Sequence, residues 1–295
     1  MPDAEIDFVL RKGNESLLAE NPNIRQVIVW NKKEGKYKSL FRVAKEIRQK
    51  RYDWVINLQR FASSGFLAWR AKAPLKSGFK NNPLSVFYTH KIIHEVGNGK
   101  HEIERNFELI STELPEAVLQ KPVLYPRQKD QDAVAALNCP AEYVVMAPSS
   151  VWFTKQLPQS KWVELIRMQQ GKTVYLIGGM EDHVLLQEIN EKSGAVHVVN
   201  LAGKLSLLAS AVLMKGAQMN YVNDSAPLHL TSAMNAPVKA FFCSTVPEFG
   251  FGPLSENSDV VQIPTKLYCK PCGIHGYKAC PEGHFRCGNQ IVVTP

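Results

Sequence analysis

The run Pro148-Ser149-Ser150-Val151-Trp152-Phe153-Thr154-Lys155 sets hydroxyls and a lysine directly after the apolar segment Tyr143–Ala147. A hydroxyl pair and an ammonium at a strand's end can hydrogen-bond and neutralise a phosphate, although such residues in loops are often only solvated. Gly178-Gly179-Met180-Glu181-Asp182 follows a second apolar segment, Thr173–Ile177. Paired glycines let a backbone approach a ligand closely, and an acid there can hold ribose hydroxyls. An ordinary strand-to-helix turn with an acidic first helical turn has the same composition. In Asn223-Asp224-Ser225-Ala226-Pro227-Leu228-His229, Asp224 or Ser225 suits a helix N-cap and Pro227 the first turn. The free N–H groups of such a helix start attract anions. His229 stays open between a core histidine, a ligand contact and a loop support.

Six cysteines are present, and four of them, Cys269, Cys272, Cys280 and Cys287, lie near the end of the chain. With His275 and His284 close by, they could form a tetrahedral structural zinc site. A packing role for the thiols is the alternative. A disulfide is disfavoured in a chain without an export signal.

These residues need a scaffold, and the pattern supplies one. Ile6–Leu10, Gln26–Trp30 and Trp54–Leu58 read as buried strands. Leu40, Val43, Ala44 and Ile47 recur at helical spacing, with Arg42, Lys45, Arg48 and Arg51 on the polar face. Helices are expected at Phe61–Ala71 and Glu102–Glu113, before a Pro-punctuated stretch marked by Pro115, Pro122 and Pro126. A second alternation has strands at Tyr143–Ala147, Thr173–Ile177, Val196–Leu201, Gln218–Val222 and Val238–Phe242. Helices at Lys161–Gln169, His183–Lys192, Ser206–Lys215 and Ala226–Met234 separate them. Strands alternating with helices predict parallel sheets covered on both faces. The 295 residues thus read as two α/β, Rossmann-like lobes, 1–130 and 131–295, with a cleft between them. Ligands in such sheets bind beyond the carboxyl ends of the strands, where the loops above fall.

Composition excludes a disordered tail, a collagen-like repeat and a coiled-coil rod: 45% of residues are hydrophobic and 21% charged. No apolar run approaches the ~20 residues that span a bilayer. Met1–Asp7 is acidic and lacks the apolar core of a signal peptide, so the expected location is cytoplasmic. The net charge of +8 resides in residues 1–130, with 23 basic against 15 acidic residues. Within 25–91 the ratio is 16 to 3. One lobe is therefore fitted to meet something anionic: nucleic acid, a membrane surface, or a phosphorylated or carboxylated acceptor.

The strings Ala147-Pro-Ser-Ser-Val-Trp-Phe-Thr-Lys155, Leu176-Ile-Gly-Gly179, Asn200-Leu-Ala-Gly-Lys-Leu-Ser206 and Asn223-Asp-Ser-Ala-Pro-Leu-His229 resemble glycosyltransferase family 9, in order and spacing. So does the tail from Cys269-Lys-Pro-Cys272 to Cys280-Pro-Glu-Gly-His284-Phe-Arg-Cys287. That bacterial family comprises the ADP-heptose:lipopolysaccharide heptosyltransferases, and the resemblance implies a GT-B fold. It further implies that Lys155, Ser149, Ser150 and the backbone at Asp224, Ser225 and Ala226 meet the donor diphosphate. Glu181 would lie near the ribose, Lys204 and Leu205 near the base, and His229 beside the donor. The implied reaction is inverting transfer of a heptose or related sugar without a catalytic metal, with no cofactor required. The acceptor would be an anionic lipid-linked oligosaccharide at the inner face of the cytoplasmic membrane, where the protein would be peripheral. Arg60, in Asn57-Leu-Gln-Arg-Phe-Ala-Ser-Ser64, is the acceptor-side candidate.

The family opens with a strand, a Gly-Asp loop and a helix, and the loop aspartate is its expected general base. Met1–Leu10 resembles the family's second strand, so the N-terminal lobe reads as incomplete, and Asp3 and Asp7 are poor substitutes for the base. The favoured expectation is that Met1 is an internal start and the natural protein is longer; without the base, which is worth about 10²–10⁴ in rate, activity of the chain as written is doubtful. The rival readings are a donor-binding remnant, a GT-B sugar epimerase and a basic zinc-knuckle protein that binds nucleic acid. The last lacks the interleaved aromatics of its class, and no nucleic-acid partner is expected.

Overall fold

The computed structural model describes residues 3–295 and divides into two compact units, Met1–Gln120 and Lys121–Pro295. In the first, β1 (Ile6–Arg11) and β2 (Ile24–Trp30) pair in parallel. Helix α1 (Lys36–Lys50) follows, then β3 (Trp54–Asn57), α2 (Ala62–Arg70), β4 (Leu75–Phe79), β5 (His90–Ile92) and α3 (Glu102–Ser111). Strands β3, β4 and β5 form a second parallel sheet, and among the described residues no strand joins it to β1. The α1 stripe Leu40, Val43, Ala44 and Ile47 is buried as its spacing predicts. It packs with Ile28 and Trp30 of β2 and with Leu67 and Ala71 at α2.

Asp7 explains how β1 is tied to its surroundings. Its side chain is 1% exposed and accepts from Arg25 Nε at 2.8 Å and Lys50 Nζ at 2.9 Å. The Tyr52 hydroxyl donates to it at 2.6 Å. The Arg25 guanidinium, with help from Tyr52 and Lys50, holds this carboxyl well below the usual carboxylate range, against the opposing effect of burial. A carboxylate so committed is a structural anchor and a poor proton acceptor. Because its folded-state pKa is depressed, its stabilisation is complete above the ordinary carboxylate pKa and is lost as pH falls below it. We expect Asp7→Asn to lower stability at neutral pH by ~2 kcal/mol. The deficit should shrink as pH drops below about 4, as urea melts across pH will show.

The second unit begins with α4 (Gln128–Ala135) and continues β6 (Tyr143–Ala147), α5 (Gln159–Met168), β7 (Thr173–Leu176), α6 (His183–Ser193), β8 (Val198–Asn200) and α7 (Leu207–Gly216). It closes with β9 (Met219–Asn223), α8 (Ala226–Met234), β10 (Val238–Phe241), β11 (Ser258–Val261) and the short α9 (Arg286–Asn289). The units separate at Gln120, ten residues before the expected boundary at 130, which falls inside α4. The reason is a contact: the Ser206 hydroxyl, which caps α7, donates to buried Asp130 of α4 at 2.7 Å. Helix α4 thus belongs with the second sheet.

Six parallel strands form that sheet, in the order β11-β10-β9-β6-β7-β8. Counted from β6 this is the doubly wound order, whose direction reverses between β6 and β9. The five residues of β6 are all buried, as the centre of a sheet covered on both faces requires. Trp162 of α5 is fully buried, meets Phe241 of β10 edge-on at 5.4 Å, and gives its indole N–H to the Leu157 carbonyl. Phe285, Cys287, Ile291 and Val293 pack into the same core.

Candidate donor site at the strand switch point

The expected loops meet along the carboxyl edge of the six-stranded sheet, each leaning on its neighbour. After β6, Phe153–Lys155 forms one 3-10 turn and directs Lys155 across to the loop after β9. There its ammonium is 2.7 Å from Asp224 Oδ2, which also accepts the Thr245 hydroxyl at 2.6 Å. Asp224 and Thr245 are buried. Lys155 is therefore held at the switch point by a carboxylate, with its remaining N–H donors available to a ligand.

Asn223 fixes the two loops in register. It is fully buried at the end of β9. Its amide nitrogen donates to the Pro148 carbonyl at 2.7 Å, and its amide oxygen accepts from Leu157 N at 2.9 Å. Both ends of the loop that carries Ser149, Ser150 and Lys155 are thereby hung from one side chain. Ser225 is the N-cap residue of α8 with no side-chain cap bond, and Pro227 lies in the first turn. Ala226 and His229 are exposed, and the His229 ring packs edge-on to Phe251. The helix start is thus a set of backbone donors beside Lys155, with positive dipole character.

On the other side of β6, the Ser149 hydroxyl donates to Asp182 Oδ2 at 2.8 Å, and Gly179 N donates to the same oxygen at 2.8 Å. Ser149 thus joins the β6 and β7 loops rather than presenting a free proton. Ser150 is half-buried, and its carbonyl accepts the Gln156 amide at 2.6 Å. Glu181 is exposed, with its carboxylate folded against Gly179. The loop after β8 closes on this turn through Gly203 N to the Gly178 carbonyl at 3.0 Å. Gly203 has φ +72° and abuts Met180, so a side chain there would collide with it. Exposed Lys204 and half-buried Leu205 follow directly.

Arg60 belongs to the first unit. It is exposed in the loop after β3, a loop pinned by Asn82 Nδ2 donating to the carbonyls of Gln59 and Phe61. Sequence reasoning missed Asn223, Thr245 and Asp182 as positioning groups. The available signal was their location within six residues of a strand's carboxyl end.

The cysteine tail packs against the turn that carries Lys155. Gly276, at φ +76°, lies against Thr154 and Lys155, where a Cβ would come within 2.8 Å of Thr154 Oγ1. Tyr277 N donates to that oxygen at 2.8 Å, Ser244 donates to it at 3.0 Å, and Cys272 N donates to the Ser244 carbonyl. The tail buttresses the lysine turn. The structural zinc expected on Cys269, Cys272, Cys280 and Cys287 is not supported. Among the described residues no three His, Cys, Asp or Glu side chains are grouped as a metal ion requires. Cys272 turns its thiol to the Cys269 carbonyl, and Cys287 is buried in the core. Burial, reinforced by Cys272, pushes the Cys287 thiol up to about 11.

Parallel α/β units, one in doubly wound order, gather these polar loops at the switch point, where ligands bind in such sheets. The architecture is that of GT-B glycosyltransferases. The chain belongs to glycosyltransferase family 9 (heptosyltransferase), which matches residues 40–278. Lipopolysaccharide heptosyltransferase 3 of Escherichia coli is 27% identical over 263 residues, covering 83% of this chain and 76% of that protein. The glycosyl transferase family 9 structure from Veillonella parvula matches with a TM-score of 0.77 at 22% identity, covering 88% of this chain and 77% of that one. The E. coli heptosyltransferase WaaC with ADP matches with a TM-score of 0.71 at 22% identity, covering 88% and 84%. Among the described residues no helix is long and apolar enough to cross a membrane.

Proposed function

We propose that the chain is a heptosyltransferase of lipopolysaccharide core assembly that binds a nucleoside-diphosphate sugar, ADP-heptose by likeness to its relatives, at the β6/β9 switch point. The observation that carries this reading is Lys155, held by buried Asp224 beside the uncapped start of α8. A diphosphate there meets one ammonium and a set of backbone N–H groups. Glu181 stands at the ribose end, and Lys204 and Leu205 at the base.

The reaction is inverting: an acceptor hydroxyl attacks the anomeric carbon as the bond to the diphosphate breaks. The hydroxyl proton leaves to a base, and the electron pair goes to the departing diphosphate. Negative charge grows on that group, so Lys155 and the helix dipole stabilise the transition state more than the ground state, and no metal is invoked. Asp7 is committed to Arg25, Lys50 and Tyr52 and is not assigned as the base. Arg60 serves the anionic acceptor, a lipid-linked oligosaccharide.

Calorimetric titration of the chain with ADP, AMP and adenosine tests the diphosphate anchor. ADP should bind about tenfold or more tightly than AMP, since a further phosphate gains charge-assisted hydrogen bonds. Equal affinities would remove the diphosphate from this place. Free sugar released from the donor without acceptor would instead mark an epimerase.

A further inference from the structure

The first unit carries an aromatic ladder that the donor chemistry does not use. Phe41 of α1 meets Phe66 of α2 edge-on at 5.5 Å, Phe66 meets Trp69 at 5.9 Å, and Trp69 meets Phe87 at 5.3 Å. These rings come from distant points of the chain and form one continuous strip. The strip faces solvent: Phe41 is 59% exposed, Trp69 40% and Phe87 43%, with Val86 beside it at 72%. Exposed rings joined in one strip in this way point to an interaction site.

Cations border it. Along α1, Tyr37, Phe41, Lys45 and Arg48 fall on successive turns of one face, with exposed Arg42 beside Phe41. The Arg70 guanidinium lies 5.6 Å from the Trp69 ring. Helices α1 and α2 hold one carboxylate between them, Glu46. It is turned aside, accepting from Gln26 at 3.3 Å and lying 4.0 Å from Lys50. The strip is thus apolar at its centre and positive at its rim.

We propose that this face docks the protein on an anionic lipid bilayer, with the rings seated at the headgroup level and the cations on lipid phosphates. Aromatic side chains and stems of Lys and Arg suit that boundary, where one end is apolar and the other wet. Anionic headgroups complement the rim. The edge-on packing of Phe41 on Phe66 and the aliphatic Val86 suit acyl chains better than bases, which need open ring faces for stacking. The proposal rests in part on the reading of the acceptor as lipid-linked, because docking would bring the chain to the surface where such an acceptor lies.

The test is vesicle flotation of the 295-residue chain without donor or acceptor. Vesicles of phosphatidylethanolamine with phosphatidylglycerol should carry the protein, and phosphatidylcholine vesicles should not. Raising salt should weaken binding. Phe41→Ser/Trp69→Ser should reduce the bound fraction about tenfold or more, while Val196→Ser, at an exposed valine in the other unit, should leave it unchanged. Arg42→Glu/Lys45→Glu keeps the rings and should cause a similar loss; thermal melts of each variant establish that it is folded. Full binding by both double variants, or binding to single-stranded RNA in place of vesicles, overturns the proposal. Vesicle binding by a chain that fails to bind ADP would reject the proposed donor site and leave the docking face standing.

Discussion

Lys155→Ala should weaken nucleoside-diphosphate binding by about 10- to 100-fold, the scale of a lost hydrogen bond to a charged group. The loss has two parts. The ammonium that would meet the diphosphate is gone, and the Asp224 carboxylate it neutralised stays buried with the Thr245 hydroxyl, repelling the ligand. Lys155→Ala/Asp224→Asn should therefore bind better than Lys155→Ala alone, a non-additivity expected of residues in direct contact. Titration of the wild type, both single variants and the double with ADP measures the coupling. AMP provides the internal control, since the variants should lose less affinity for it. Unchanged ADP affinity in Lys155→Ala would take the lysine out of the donor site.

Asn223→Ala should cost about 2–4 kcal/mol of stability, because it strands the Pro148 carbonyl and the Leu157 N–H at a site sealed from water. For a unit of this size the melting temperature should fall by about 5–15 °C. Asn223→Asp should not rescue it: a carboxylate can accept from Leu157 but has nothing to donate to Pro148, and it brings a buried charge. ADP affinity should fall with stability, since the loop from Pro148 to Leu157 is the one that carries Lys155. Melting curves, with affinities measured well below the transition, separate the two effects. A variant that melts like the wild type would show that the loop holds itself.

What could be read in advance was whatever repeats locally. The α1 stripe and the apolar runs of β6 and β10 declare their burial in their own spacing, and helix α8 was bounded by its Pro and its capping residues. Strand β4 escaped because Lys76, Ser77 and Gly78 break its apolar character. Gly78 is required there because the Tyr88 ring stands where a Cβ would be. Helix α4 escaped because its sequence, Gln128 to Ala135, is mostly polar, and its packing on α7 depends on one buried aspartate. At the site, each loop was legible and the pairings between loops were not. Nothing near Lys155 announces that its partner lies across the switch point at Asp224. The aromatic ladder shows the same limit, since residues 41, 66, 69 and 87 share no periodicity.

The strand order also sets a schedule for synthesis. Central strand β6 is made early in its unit, yet one of its two neighbours, β9, is made some seventy residues later. Phe285, Cys287, Ile291 and Val293 complete the same core later still. A ribosome-bound chain that has reached only β8 therefore shows one bare edge of its most apolar strand, and such exposed edges invite misassembly. Parallel pairing over long sequence separations is intrinsically slow. The second unit should thus become protease-resistant late and in one step, after residues 285–293 are free to pack.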